Sequence, residues 1–318
     1  MPDLPAIAVS GALAYDDTYL YPGRIKDHLP EDRGAPLYLN FRAQGPARSR
    51  GGCGGNVAYS LASLQAPVVL HGWIGRDGEP YLAEMRQLGV NVDRVRIEPD
   101  VLTSRAVLLA DAAGDQVLFF GEPEREVAAP ETDLRGVRLA VVTAGTPSHT
   151  RMFLAACRAA RVPVVVDPGK LIMDMPAEAM REAITGADSL VLNEYEHGLL
   201  RERLRMTEAE LRGCASTIVV TRGGQGMDVV SEGREDRIRP VPPAVLTDPN
   251  GAGDAFLAGY SFGRHRGLSG AWSARVGAVA ASFALEASGC QNHGWTAERF
   301  ASRLADAYGT PPFPSGVT

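Results

Sequence analysis

Residues 246–260 pass from a polar turn through small residues into a helical pattern, with one carboxylate at the junction. Gly251, Ala252 and Gly253 let the backbone N–H groups of a first helical turn approach a bound anion closely. Asp254 falls in that turn, where the helix dipole favours its ionised form. A proton acceptor beside a cradle for negative charge is what phosphoryl transfer to a hydroxyl needs. A capped, tightly packed helix start has the same local sequence, so both interpretations stay open.

A second glycine-rich segment, residues 51–56, also leads into a helical pattern. It predicts either another helix N-terminus with bare backbone amides or a tight turn that packs the helix on a sheet. No Lys-Ser or Lys-Thr pair follows it, so the segment is not a P-loop.

The first apolar segment, residues 6–14, predicts a buried strand that ends in Gly11 and leads into a polar loop, and Asp16 follows it. Ligands of open α/β sheets bind at the carboxyl ends of the strands, so Asp16 is a candidate ligand-binding residue. A turn or a helix cap is the alternative, because the adjacent Asp17 suggests contact with solvent.

The composition is that of an ordinary globular protein. A chain of 318 residues with 45% hydrophobic and 22% charged residues can form one large α/β domain, with or without a small appendage. A net charge of −6 argues against a general nucleic-acid or membrane-surface binder. The four cysteines are scattered singly, which indicates neither a zinc site nor a disulfide framework. With no apolar run long enough to span a bilayer, we expect a cytoplasmic protein.

Regular alternation of strands and helices begins near residue 139. Strands are predicted at 139–143, 162–166, 189–192 and 217–221, and helices near 148–161, 176–186, 194–204 and 207–214. Short connections between them predict a parallel sheet with helices on both faces. Residues 228–246 predict a short antiparallel meander at the edge of that sheet.

Two further segments have sequences that favour a lid over a binding site and not a part of the hydrophobic core. Residues 17–50 lack helical periodicity and predict a loop-rich excursion with short strands. Residues 103–110 and 116–121 flank a polar turn and predict a β-hairpin.

The late segment Asp248–Asp254, Asp-Pro-Asn-Gly-Ala-Gly-Asp, resembles the second signature of the ribokinase-like (PfkB) kinases, with Asn250 where threonine is usual. Residues 51–58 resemble the first signature, Gly-Gly-x-x-x-Asn-x-Ala. Asn193-Glu-Tyr-Glu196 resembles the family's Asn-x-x-Glu, and residues 221–226 resemble its Thr-x-Gly-x-x-Gly nucleotide loop. The resemblance spans residues 6–308 in the family's order.

The resemblance implies a particular architecture. We expect an α/β fold of the ribokinase-like type, with three α/β/α layers around a mostly parallel central sheet and a small β-sheet lid. It implies a single kinase domain over residues 1–318, into which lid segments of about 17–50 and 103–121 are inserted.

The family's catalytic and acceptor residues carry over to matching positions of this chain. Asp254 takes the role of catalytic base, and the amides of Gly251, Ala252 and Gly253 that of the anion hole. Asp16, Gly52 and Asn56 are implied to hold the acceptor. Phe119 and Phe120, on the predicted hairpin, are candidates to stack on the acceptor, and Phe120 is the residue that we assign.

The resemblance also implies a nucleotide site for ATP with Mg²⁺. Glu196 is implied to reach the Mg²⁺ indirectly. Asp248 is implied to be one wall of a monovalent-cation site for K⁺, an ion that only some relatives bind. The nucleotide-binding residues implied by the resemblance are Asn193, Glu196, Thr221, Gly223, Gly226 and Ser288.

The implied activity is ATP-dependent phosphorylation of the 5′-hydroxymethyl group of a ribonucleoside. The chain start and residues 303–309 resemble bacterial adenosine kinases of the actinobacterial type, which favours adenosine as acceptor. Ala106 departs from that pattern, because it stands where a second stacking aromatic is usual. A ribokinase- or fructokinase-like sugar kinase is the alternative, and a non-catalytic sugar- or nucleotide-binding protein on the same fold is a second one.

The expected partners are the small acceptor and ATP, with no nucleic acid and no membrane. Exposed edges of the lid favour a homodimer through the lid, because unpaired strands seek partners.

Overall fold

The structure is a computed structural model that describes residues 5–29, 38–123, 127 and 131–312. Its strands, in chain order, are β1 (Ala6–Ser10), β2 (Ala14–Tyr21), β3 (Gln44–Gly51), β4 (Val68–Gly75), β5 (Asn91–Glu98), β6 (Ser104–Asp111), β7 (Gln116–Gly121), β8 (Val137–Val142), β9 (Val164–Val166), β10 (Ala187–Asn193), β11 (Ala215–Thr221), β12 (Met227–Ser231) and β13 (Arg234–Ile238). Its helices are α1 (Cys53–Ser63), α2 (Glu79–Gln87), α3 (Pro147–Ala160), α4 (Leu171–Asp174), α5 (Ala177–Ile184), α6 (Glu194–Leu204), α7 (Glu208–Arg212), α8 (Ala252–His265), α9 (Gly270–Ala284) and α10 (Ala297–Tyr308).

A nine-stranded sheet runs through the centre in the order β13-β12-β11-β10-β9-β8-β1-β4-β5. The strands from β11 to β5 pair in parallel, and β12 and β13 add to the edge as antiparallel strands. A separate four-stranded sheet, which we call the lid, has the order β3-β2-β6-β7. The predicted fold class, with a mostly parallel central sheet and a separate small sheet, is therefore confirmed.

Helices cover both faces of the large sheet because alternate residues of its strands point to opposite sides. In β1, Ile7 and Val9 pack in one core cluster with residues of α1, α2 and α8. Ala8, between them, packs in the other cluster with residues of α3 to α7. None of the helices in the described ranges is long and apolar enough to cross a bilayer.

The first strand ends next to Gly11, as predicted, but a second strand follows where a polar loop was expected. β1 ends at Ser10, and the chain crosses at Gly11 to begin the lid strand β2 at Ala14. A Cβ on Gly11 would lie 2.6 Å from Thr143 Cγ2 and 2.8 Å from Gly54 Cα, so the crossing needs a glycine. Asp16 consequently lies inside a lid strand and not in a loop at the end of β1.

Candidate active site

The start of α8 presents backbone to open space. Its N-cap Gly251 has a φ of 76°, and a Cβ there would lie 2.9 Å from the Cβ of Cys290. A Cβ on Gly253 would meet nothing within 4 Å. The first N–H groups of a helix lack intrahelical partners, so this turn can receive an anion.

Asp254 lies in that first turn and receives hydrogen bonds from α1. Asn56 Nδ2 donates to Asp254 Oδ2 over 2.7 Å. Burial raises the pKa of Asp254 to about 6, although hydrogen bonds from Asn56 and the Cys53 thiol oppose the shift. The shift is opposite to the one that the helix dipole alone would predict. A carboxyl group that titrates near the working pH is suited to accept a proton.

Asn56 is itself held by a buried network. Gln291 Nε2 donates to Asn56 Oδ1 over 2.9 Å and also lies 2.9 Å from the Tyr81 hydroxyl. The Tyr81 hydroxyl donates to the Gly51 carbonyl oxygen over 2.9 Å. Because its carbonyl oxygen already accepts from Gln291, the amide of Asn56 turns its N–H₂ group toward Asp254. Sequence reasoning missed Gln291 and Tyr81, because the contacts of Gln291 with Asn56 and Tyr81 span 235 and 210 positions.

Asp16 lies on the lid side of the same region. A Cβ on Gly51 would lie 2.2 Å from Asp16 Oδ2, so the carboxylate rests directly on that glycine. Burial raises the pKa of Asp16 to about 6, against a hydrogen bond from the Cys290 thiol. The charge of Asp16 in turn raises the pKa of Asp254. The structure thus brings the two predicted carboxylates within electrostatic reach of each other.

The start of α1 packs tightly, and the amides of its second and third residues already have a partner. The N–H groups of Gly54 and Gly55 both point to the carbonyl oxygen of Ala12, at 3.0 and 3.4 Å. A Cβ on Gly55 would lie 1.7 Å from the Tyr81 hydroxyl oxygen. The N-cap Gly52 has a φ of 82° and also lies against Ala12. Of the two interpretations of this segment, the tight turn is correct.

The register of the lid aligns Asp16 with the predicted stacking residue. Asp16 of β2 pairs with Ala106 of β6, and Ala106 pairs with Phe120 of β7. Residues paired directly across strands share a face, so these three side chains form one row. Two strand spacings separate the ends of the row, or about 10 Å. Phe119 falls on the opposite face of the lid.

The next row on this face is apolar. Leu108 of β6 pairs with Leu118 of β7, and both lie two residues from members of the first row. We call the face that carries Asp16, Ala106, Leu108, Leu118 and Phe120 the inner face of the lid.

Two further acidic residues lie close to Asp254. Glu196 forms a capping box at the start of α6, where Asn193 Oδ1 accepts from its N–H and its Oε2 accepts from the Asn193 N–H. Asp167 follows β9, and its pKa is raised by burial and by the charges of Glu196 and Asp254. Asp167 comes directly after the strand predicted over residues 162–166, at the edge of the sheet where ligands bind. Among the described residues, no three acidic, histidine or cysteine side chains form a ready metal site.

The remaining predicted residues lie on neighbouring loops. Asp248 Oδ1 accepts from the Asn250 N–H and Oδ2 from the Gly289 N–H, both over 2.9 Å, which ties the turn before α8 to the loop after α9. Ser288 in that loop is exposed. Thr221 ends β11.

A short 3₁₀ turn over Gly223–Gln225 follows β11. Gly226, which ends this turn with a φ of 89°, lies against the Ile238 carbonyl oxygen, which a Cβ would approach to 2.2 Å. The roles of Thr221, Gly223, Gly226 and Ser288 in nucleotide binding stay predictions.

The pfkB family carbohydrate kinase profile matches residues 15–297. The chain therefore belongs to the PfkB family of carbohydrate kinases.

Similar proteins narrow the range of alcohol acceptors to nucleosides and sugars. A nucleoside kinase from Methanocaldococcus jannaschii is 24% identical over 260 residues, covering 80% of this chain and 85% of the relative. A ribokinase from Arabidopsis thaliana is 27% identical over 260 residues, covering 75% of this chain and 68% of the relative. The structure of a Burkholderia thailandensis nucleoside kinase in complex with inosine matches with a TM-score of 0.84 at 25% identity, covering 98% of this chain and 99% of the other. The protein is a phosphotransferase with an alcohol acceptor, of the nucleoside or sugar kinase type.

Proposed function

We propose that the protein transfers the γ-phosphoryl group of ATP to the 5′-hydroxyl of a ribonucleoside. The row Asp16–Ala106–Phe120 carries this proposal. A ribose whose hydroxyls bind Asp16 spans about one strand spacing, and a base attached to it extends over the second. Ala106 leaves room for that base because its side chain is small, and the ring of Phe120 is 39% exposed at the far end. A free sugar would leave this half of the inner face bare.

The chain's own groups then carry out the transfer. Asp16 orients the acceptor, and Asp254 accepts the proton of its 5′-hydroxyl as the hydroxyl oxygen bonds to the γ-phosphorus and the bond to ADP breaks. The amides of Gly251, Ala252 and Gly253 hold the charge on the phosphoryl oxygens. Because the transition state is loose, positioning and charge stabilisation matter more than the strength of the base.

The nucleotide site would lie beside the acidic cluster. We assign ATP to the loops of Thr221, Gly223, Gly226 and Ser288, next to the start of α6. Burial and its acidic neighbours raise the pKa of Asp167, and burial raises that of Glu196, so a cation bound beside these carboxylates would relieve their mutual repulsion. Mg²⁺, when bound with ATP, would neutralise charge between the phosphates and Glu196. We also propose that K⁺ can bind beside Asp248.

Adenosine, the acceptor that the sequence resemblance implies, belongs to this substrate class. The Burkholderia thailandensis nucleoside kinase, whose structures are in complex with inosine and with ADP-inosine, supports the nucleoside class over free sugars. A coupled assay of ADP release with adenosine, inosine, guanosine, ribose and fructose tests the proposal. We expect turnover with nucleosides and little with the sugars. Turnover with ribose or fructose alone would replace the nucleoside proposal by the sugar kinase alternative.

A homodimer through the lid is a second proposal, and the exposed strand β7 supports it. Val117, Leu118 and Phe119 are 41%, 65% and 58% exposed on this edge strand. Edge strands with exposed apolar side chains tend to pair with another chain. Light scattering after gel filtration should give the mass of a dimer, and Phe119→Glu should shift it toward the monomer. A wild-type protein of monomer mass would contradict the proposal.

A further inference from the structure

The inner face of the lid ends at a charged cluster that joins the lid to the large sheet. Lys170 Nζ lies 4.2 Å from the ring centre of Phe120 and 2.8 Å from Glu122 Oε1. Lys170 precedes α4 and comes three residues after Asp167, on the carboxyl side of β9. The ammonium group therefore reaches from the ligand edge of the large sheet to the far end of the row that begins at Asp16.

Lysine at this position stands out against the rest of the chain. Of 32 lysines and arginines, only Lys26 and Lys170 are lysines. Lys26 pairs with Asp115 within the lid and is 63% exposed, whereas Lys170 is 39% exposed and contacts the lid from the loop after β9. An ammonium group is a compact charge with three donors and no acceptor, so it can bind only groups that accept hydrogen bonds.

We propose that Lys170 recognises the base of the acceptor nucleoside and favours bases that carry a carbonyl oxygen over bases that carry an amino group at the same edge. This inference rests on the proposed function and narrows its substrate class to oxo-base nucleosides, such as those of hypoxanthine and guanine. Lys170 is assigned as a specificity residue. It takes no part in the chemical step.

The geometry of the cluster supports the preference. A base that extends along the row from Asp16 reaches the ring of Phe120, where the ammonium group already lies against the aromatic face. A carbonyl oxygen can accept from that ammonium group, whereas an exocyclic amino group would set donor against donor. Glu122, 2.8 Å from the ammonium group, can accept from the ring N–H that neighbours such a carbonyl.

Kinetics of three variants test the inference. Wild-type protein should have a higher kcat/KM for inosine than for adenosine. Lys170→Gln, which offers both a donor and an acceptor, should reduce the ratio of the two values about tenfold, because a hydrogen bond to a charged group contributes at least that factor. Lys170→Met should abolish the preference through a higher KM for inosine with little change in kcat. Lys26→Gln is the matched control and should keep the wild-type ratio.

Labelling gives a readout that does not depend on turnover. Reductive methylation followed by peptide mass spectrometry can compare the two lysines in one sample, with Lys26 as the internal reference. Inosine should protect Lys170 and leave Lys26 reactive, and adenosine should protect Lys170 less.

The outcomes separate this inference from the function on which it rests. If only free sugars are phosphorylated, the nucleoside kinase proposal fails and this inference fails with it. If nucleosides are phosphorylated but adenosine is preferred, or Lys170→Gln keeps the wild-type ratio, only the role of Lys170 is overturned. Equal methylation of Lys170 with and without saturating inosine would overturn it as well.

Discussion

Helices α1 and α8 start alike in sequence and differently in space. Each begins after a glycine with positive φ, 82° at Gly52 and 76° at Gly251, and each continues with small residues. In α1 the next amides bond to the Ala12 carbonyl oxygen, and added Cβ atoms would strike neighbouring atoms. In α8 a Cβ on Gly253 would meet nothing. A glycine-rich helix start is therefore a site for an anion only where the space in front of it is left open.

The two starts nevertheless serve one site. The amides of Gly54 and Gly55 in α1 bond to Ala12, while the side chains of Cys53 and Asn56 donate to Asp254 of α8. One helix thus supplies open backbone and a carboxylate, and the other supplies the donors that hold the carboxylate. Substitutions in each helix can therefore test its role separately.

The largest effect is expected at the carboxylate of α8. Asp254→Asn removes the proton acceptor while keeping the shape of the side chain, so kcat should fall by about 10²- to 10⁴-fold, the usual contribution of a general base. The ADP-release assay with the best nucleoside measures it. Turnover near that of the wild type would remove Asp254 from the mechanism and would favour a different acceptor of the proton.

Stability provides the control for that variant. The folded-state pKa of Asp254, about 6, lies above its ordinary value of 3.8, so the fold favours the protonated form. The buried charge therefore destabilises the protein as the pH rises through 6 and has no effect below about pH 4. Asp254→Asn should consequently melt at a higher temperature than the wild type at pH 8, with the difference vanishing at low pH. A lower melting temperature at pH 8 would mean that the loss of activity reflects a damaged fold.

A pair of glycine substitutions tests the comparison itself. Gly54→Ala places a Cβ 2.7 Å from the Gly11 carbonyl carbon and 2.8 Å from the Gly11 Cα and carbonyl oxygen, and should reduce the free energy of unfolding by about 1–3 kcal/mol. Gly253→Ala meets no atom and should leave stability unchanged or raise it by up to about 1 kcal/mol, because alanine favours a helix over glycine. Its methyl group lies where we place the phosphates, so the KM for ATP should rise.

Urea unfolding and ATP saturation curves measure the two arms of this test. The comparison fails if Gly253→Ala destabilises the protein as much as Gly54→Ala does. It also fails if Gly253→Ala binds and turns over ATP like the wild type, since the open turn would then not be the anion site.

The sequence carried the information for the sheet and for both carboxylates, because alternating elements and short signatures are local patterns. Asp254 and Asp16 could be named for this reason. The end of the first strand at Gly11 could be predicted too, but the lid strand that follows it could not, since Ala14–Tyr21 forms a strand by pairing with the distant strands β3 and β6.

Contacts between residues far apart in the chain could not be predicted either, because no local sequence pattern indicates them. Gln291 acts on Asn56 across 235 positions, and neither residue carries a local sign of the other. Lys170 contacts Phe120 only because the loop after β9 faces the lid. The raised pKa of Asp254 follows from burial by several elements, whereas the sequence showed only the helix dipole.

The smallest effect is expected at the thiol of α1, and it shows whether α1 acts on Asp254 through its side chains. In the wild type, kcat/KM should fall below about pH 6, because Asp254 and Asp16, each with a pKa of about 6, must be ionised. Cys53→Ala removes a donor that holds the pKa of Asp254 down, so the acidic limb should move to higher pH by about half a unit. Cys53→Ser keeps a donor and is the matched control. The kcat/KM of each protein is measured from pH 5 to 9. If the profiles of the wild type and Cys53→Ala coincide, the thiol of α1 does not act on the pKa of Asp254. If Cys53→Ala and Cys53→Ser both shift the acidic limb, the effect comes from the volume of the side chain and not from its hydrogen bond.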